Sequence, residues 1–187
     1  MQLNQRASDN EMQNSVSASS TNRTTEQVVV FSIGEFTFAI SAAAVQEIRN
    51  TDSLGGMVME LENVVVPKVR HIIERDSRSY FVVSGFDHFH LPQSRPTTLL
   101  ILSKTPTAIL VDRIEEMAEM RTIVTLPRSF IGQERIWYRG LTILDSKVVP
   151  VIDPKGFLTA DELHRLEQSA AEHQETADSV HGGGDIS

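Results

Sequence analysis

The chain has 187 residues, of which 40% are hydrophobic and 22% charged, with a formal net charge of -8 and no cysteine. This is enough apolar material for one ordinary folded domain plus tails. The acidic balance and the lack of a Lys/Arg cluster exclude nucleic acid as a main partner, and the absence of thiols excludes disulfides, thiolate metal sites and cysteine nucleophiles.

Residues 1–25 are rich in Ser, Thr, Asn and Gln and cannot bury enough apolar surface to offset ordering entropy, so a disordered tail is expected there. They contain no apolar signal-peptide region, and no run in the chain is long enough to span a bilayer. The expectation is a soluble cytoplasmic protein without membrane insertion. Strands are predicted at Gln27 to Ile33 and Phe36 to Ile40, around a turn at Gly34-Glu35, from their alternating and β-branched residues. A short helix is predicted over Ala42 to Arg49, with Val45 and Ile48 three apart on one apolar face. A hairpin follows, with Ile72 to Arg75 turning at Asp76-Ser77 into Tyr80 to Val83.

Beyond it, His88-Phe89-His90 places two imidazoles on one face of a regular strand, where they could share a metal. Asp87 would then point to the opposite face, His71 is distant in sequence, and there is no HExxH pattern. Structural or surface histidines are therefore the favoured reading, with no metal or cofactor assigned. Strands come next at Thr98 to Leu102 and Thr107 to Val111, around the turn Ser103-Lys104-Thr105-Pro106. A second short helix is predicted over Asp112 to Ala118, capped by Asp112 and with Ile114 and Met117 at helical spacing. Its hairpin runs from Leu141 to Leu144 through Asp145-Ser146 to Val148 to Ile152. Thr159-Ala160-Asp161-Glu162 is a capping box, so a helix of about three turns is expected over residues 159–171, docking through Leu163 and Leu166. Residues 172–187 are polar and read as a second disordered tail.

The order of these elements repeats. Residues 28–89 align with 97–158 at a constant offset of 69 without a gap, bringing Ala39-Ile40 onto Ala108-Ile109, Arg70 onto Arg139 and Asp76-Ser77 onto Asp145-Ser146. Only 7 of the 62 pairs are identical, so what recurs is the spacing of strand and turn residues. The middle of the chain reads as two copies of one small β unit. The first would form a barrel of about residues 40–96 with the N-terminal strand, the second a barrel of about 97–158.

The stretch Phe31-Ser32-Ile33-Gly34-Glu35-Phe36-Thr37-Phe38-Ala39-Ile40 followed by Val45-Gln46-Glu47-Ile48-Arg49 resembles the opening of the CheW-like domain family. Ala108 to Ile114 resembles that family's G-L-x-V-D-x-V segment, and Tyr138-Arg139-Gly140 with Val149-Pro150-Val151-Ile152-Asp153 resembles its closing hairpin. The resemblance implies a mainly β fold of two packed five-stranded, SH3-like barrels with short helices and a C-terminal helix. It also implies a non-catalytic adaptor that couples the cytoplasmic tip of a chemoreceptor to the regulatory domain of a CheA-like chemotaxis histidine kinase. Carried over by motif, partner-binding positions are Val45, Arg75 and Ile114, with Leu99 close by and Glu74 beside Arg75.

This chain departs from the family where N-L-R-G usually precedes the first hairpin. It has Ile73-Glu74-Arg75-Asp76, with no glycine and a turn one residue longer. Phe86 to Pro92 also differs from the usual linker. A changed partner follows as an expectation, including an adaptor of a type IV pilus pathway. The competing class is a small metal-dependent enzyme or ligand-binding barrel using His88 and His90. Against catalysis, the chain has no G-x-S-x-G elbow, P-loop or G-x-G-x-x-G.

Overall fold

The computed structural model of the protein describes residues 22–181 except Gly56, Met57, Glu62, Ser129 and Ile131. Of the expected tails at 1–25 and 172–187, residues 1–21 and 182–187 lie outside the described residues. The strands are β1 (Asn22–Ile33), β2 (Phe36–Ser41), β3 (Val45–Asn50), β4 (Val58–Glu60), β5 (Val69–Arg75), β6 (Arg78–Ser84), β7 (Thr98–Leu102), β8 (Thr107–Val111), β9 (Arg113–Ile123), β10 (Tyr138–Leu144) and β11 (Lys147–Ile152). One turn of helix, α1 (Gly85–His88), follows β6, and α2 (Ala160–His181) closes the described chain. The fold is mainly β, as expected.

The repeat is written into the backbone. An offset of 69 carries β5 onto β10 at both ends, and it carries the two-residue turn Asp76-Ser77, with φ of 48° and 61°, onto Asp145-Ser146, with φ of 46° and 66°. Two successive left-handed residues closing the pairs Arg75↔Arg78 and Leu144↔Lys147 make a hairpin turn whose twist matches the strands. Both hairpins therefore turn in two residues. The β-bulges repeat as well. The register slips at Gln46 in β3 and at Glu115 in β9, and again at Arg70 in β5 and Arg139 in β10.

Two sheets result, a five-stranded one ordered β10-β11-β2-β1-β9 and a six-stranded one ordered β3-β7-β8-β6-β5-β4. The extra member is the three-residue β4, at the edge beside β5. The first sheet curls towards closure through the bridge between Val124 and Leu141, where Gly140 packs against the Val124 carbonyl too closely for any side chain. The pairing corrects the contiguous barrels read from sequence. β1 and β2 join β9 to β11, through β1 beside β9 and β2 parallel to β11, while β7 and β8 join β3 to β6. The copies thus exchange their first hairpins, and the N-terminal strand belongs with the second barrel.

This exchange explains the core. One central cluster draws Val29, Phe31 and Phe38 from one sheet and Leu100, Leu102 and Phe81 from the other, and Leu166 of α2 seals it. Two smaller clusters lie each on a single sheet, one around Leu99 and Ile101, the other around Val28 and Val151. Alternation along β7 and β1 sends successive side chains to different clusters.

Five local readings are corrected. Ala42 to Arg49 is one 3-10 turn, Ala42–Ala44, followed by strand β3, and Arg113 to Ala118 lies in β9 rather than in a helix, with Asp112 at the bend before it. The bulges at Gln46 and Glu115 insert one residue into each strand, so the apolar residues recur at three instead of two and imitate a helical period. Asp112 caps no helix: its Oδ2 accepts the Gly34 amide at 2.7 Å and locks the β1–β2 turn. β1 begins at Asn22, inside the expected tail, because β9 extends far enough to pair with Asn22 and Arg23. The capping box forms, with the Thr159 amide donating to Glu162 Oε2 at 2.8 Å and the Glu162 amide to Thr159 Oγ1 at 3.2 Å. The helix it starts runs to His181, through residues expected to be disordered, because Ala170, Ala171, Glu172, Gln174, Glu175 and Ala177 are strong helix formers.

Candidate functional site

The expected contact positions fall on two strands with the same bulge. Val45 precedes the bulge in β3 and pairs with Leu102, and Ile114 precedes the bulge in β9 opposite Phe31. Both are half-buried against the margin of the central cluster. Arg75 ends β5, and its Nε donates to Glu47 Oε2 at 3.3 Å, while Glu47 Oε1 takes the Arg49 Nε at 2.6 Å. Nearby, the Tyr80 hydroxyl donates to Gln46 Oε1 at 3.1 Å. These contacts staple β3 to the β5–β6 hairpin. Because partly exposed ion pairs contribute little stability, the main effect of Glu47 is to fix where the Arg75 guanidinium points.

Glu74 is exposed and pairs across the hairpin with Ser79. Leu99 is a different case. It is 0% exposed in the cluster with Ile73, Tyr80 and Ile101, so a partner has nothing of it to touch. Alternation along β7 puts Leu99 inside, which motif position alone did not reveal.

Exposed apolar residues escaped the sequence reading. Ile48 and Met117, equivalent under the offset of 69, are 43% and 55% exposed, whereas helical spacing had turned them inward with Val45 and Ile114. On the second hairpin, Ile143 and Val148 face each other across the strands at 70% and 65% exposure. The signal was available for these, since alternation outward from the buried Thr142 and Val149 places both on the outer face.

The paired-histidine site does not form. His88 closes α1, whose first residue, Gly85, packs so tightly that a Cβ would meet Ile33 Cδ1 and the Leu110 carbonyl at 2.6 Å. The His88 ring is buried, with centroids 4.6 Å from Trp137, 4.7 Å from Phe89 and 4.9 Å from Phe157, and neither nitrogen has a hydrogen-bond partner. Burial first, and the Lys68 charge second, lower its pKa to about 3. His90 is exposed with a left-handed backbone. A helical turn instead of a strand is what separates the two rings. Among the described residues, no three His, Asp or Glu side chains gather as metal ligands.

Two ion pairs hold the frame around these strands. Arg139 grips Glu26 with two bonds of 2.9 and 3.0 Å, and the hydrogen bond from Arg139 is the main cause of a lowered Glu26 pKa. Lys68 Nζ lies 2.9 Å from Glu162 Oε1 and ties α2 to the six-stranded sheet. Burial alone would raise the Glu162 pKa, but the Thr159 amide and Lys68 overcome it, and the net shift is downward.

Residues 27–162 match the model of the CheW-like domain. The chain belongs to the CheW-like domain family. The sequence-level resemblance is borne out, and so is the two-barrel fold. The chain is similar in structure to the scaffolding protein TtCheW from Thermoanaerobacter tengcongensis, with a TM-score of 0.61 and 16% identity, over 73% of this chain and 95% of that one. At this identity the likeness establishes the shared fold. No curated protein matches the sequence. Glu47, in the stretch that resembles the opening of the family's domain, is the residue that orients Arg75.

Proposed function

We propose that this chain is a non-catalytic cytoplasmic adaptor of a chemotaxis-type pathway, coupling a chemoreceptor tip to the regulatory domain of a histidine kinase. The observation that carries the reading is the family match across residues 27–162. Val45 and Ile114 supply apolar contact at the margin of the central core, and Arg75, held by Glu47, supplies a directed charge with Glu74 beside it. Such a surface suits an amphipathic helix or a barrel edge. Leu99 is left out of the contact set because it has no exposed surface.

The test is co-purification with the regulatory domain of a chemotaxis histidine kinase, followed by titration. Val45→Asp and Arg75→Glu are each expected to weaken binding at least about tenfold in chains whose circular dichroism shows them still folded at the assay temperature. Full affinity in both variants would remove these residues from the interface. The glycine-free sequence Glu74-Arg75-Asp76 favours a finer reading, in which the output is a type IV pilus pathway, and a pilus-pathway kinase binding more tightly than a flagellar one would support it.

A further inference from the structure

The two barrels present the same corner twice. Parallel pairing sets Val82 beside Ala108 in one and Val151 beside Ala39 in the other, and an offset of 69 carries each pair onto the other. At each corner the tip of the second hairpin of a copy meets the tip of an exchanged first hairpin. In the five-stranded sheet this corner carries Glu35, half-exposed Phe36 and exposed Val148. In the other sheet the equivalent positions are Lys104, Thr105 and Ser79, and Arg78 stands where the first corner has Lys147. One geometry thus carries two chemistries.

The polar corner forms a solvent-open surface pocket of about 330 Å³, bordered by Arg78, Ser79, Tyr80, Ser103, Lys104 and Thr105. No carboxylate borders it. Arg78 and Lys104 have no ion pair among the described residues, although Arg75, directly across the hairpin from Arg78, is held by Glu47 and lies 3.8 Å from Asp76. The Thr105 hydroxyl oxygen is buried without a hydrogen-bond partner, which leaves an unmet polar group beside two uncompensated cations in a chain of net charge -8.

We infer that this corner is a binding site for a phosphate monoester. Two unneutralised cations match a dianion, as a monoester is above its second pKa of about 6, whereas a single carboxylate would leave one cation unmatched. The exposed Ser79 hydroxyl supplies a neutral donor beside the same anion. The pocket is larger than a bare phosphate group needs, so an organic substituent has room beside Tyr80.

The test is calorimetric titration of the full chain at pH 7.5 with inorganic phosphate and, separately, with phosphoserine, each against sodium chloride of matched ionic strength. The expected result is saturable one-site binding of both, weakened at least about fivefold by Arg78→Gln and by Lys104→Gln. Both residues are exposed, so the thermal midpoint of each variant should not move. Glu35→Gln, at the apolar corner, should leave the affinity unchanged. Absence of saturable binding, or binding that survives both Gln variants, overturns the site. Phosphate binding without phosphoserine binding overturns the monoester assignment.

Discussion

At the scale of single residues, His88 carries a cost of desolvation. Its imidazole sits among three aromatic rings with both nitrogens unpaired, so it stays neutral down to a pKa of about 3, against an ordinary 6.5. The unfolded chain binds a proton there from about pH 6.5 downward and the folded chain does not. Stability is therefore complete above pH 6.5 and lost as pH falls from 6.5 towards 3, with a slope of about 1.4 kcal/mol per unit. Between pH 6.5 and 5 this amounts to about 2 kcal/mol. Glu26 and Glu162, whose pKa values lie below the ordinary 4.5, add their own losses only at lower pH. Urea midpoints measured at pH 7, 6 and 5 should fall in the native chain and stay nearly level over that range in His88→Leu; parallel falls in both would assign the acid sensitivity elsewhere. From sequence His88 was favoured as a structural or surface histidine, with a shared metal site with His90 as the competing reading. What hid its burial is the turn of helix at Gly85–His88, fixed by a tight contact between Gly85 and two strands distant in sequence.

At the scale of elements, the hairpins carry a cost that their sequences declare. Ser77 and Ser146 hold φ of 61° and 66°, where a residue with a Cβ is disfavoured by about 1 kcal/mol and glycine is not. Ser146→Gly should therefore stabilise the chain by about 0.5–1 kcal/mol, read as a rise of about 1–4 °C in the thermal midpoint. An unchanged or lower midpoint would mean that the serine hydroxyl contributes to the turn. These hairpins and the Thr159/Glu162 box were legible because turn chemistry and capping act over four residues. β3 and β9 were not. In each, a bulge stretches the apolar period to that of a helix, and the evidence for a strand lies in a partner dozens of residues away, Leu102 for Val45 and Phe31 for Ile114. The same long-range pairing decided which contact candidates are reachable. Val45 and Ile114 remain partly open, while Leu99, on the inward side of β7, is closed off.

At the scale of the molecule, the repeat announced two units but not their entanglement. Each barrel borrows a hairpin from the other copy, so a break in the exposed segment before β7 should not yield two independent domains. Fragments 22–96 and 97–181 are each expected to lack dispersed amide resonances alone and to regain them when mixed. A folded spectrum from either fragment by itself would show that the exchanged hairpin is dispensable. The exchange also sets a timetable during synthesis. The six-stranded sheet has all its members once β8 has left the ribosome, yet β1 and β2, made first, have no sheet to enter until β9, β10 and β11 follow. At translation rates of about 5–20 residues per second, that hairpin waits roughly 5–20 s with Phe31, Ile33 and Phe38 uncovered. The oldest part of each nascent chain is thus the last to be sheltered, and it is where a chaperone has most reason to bind.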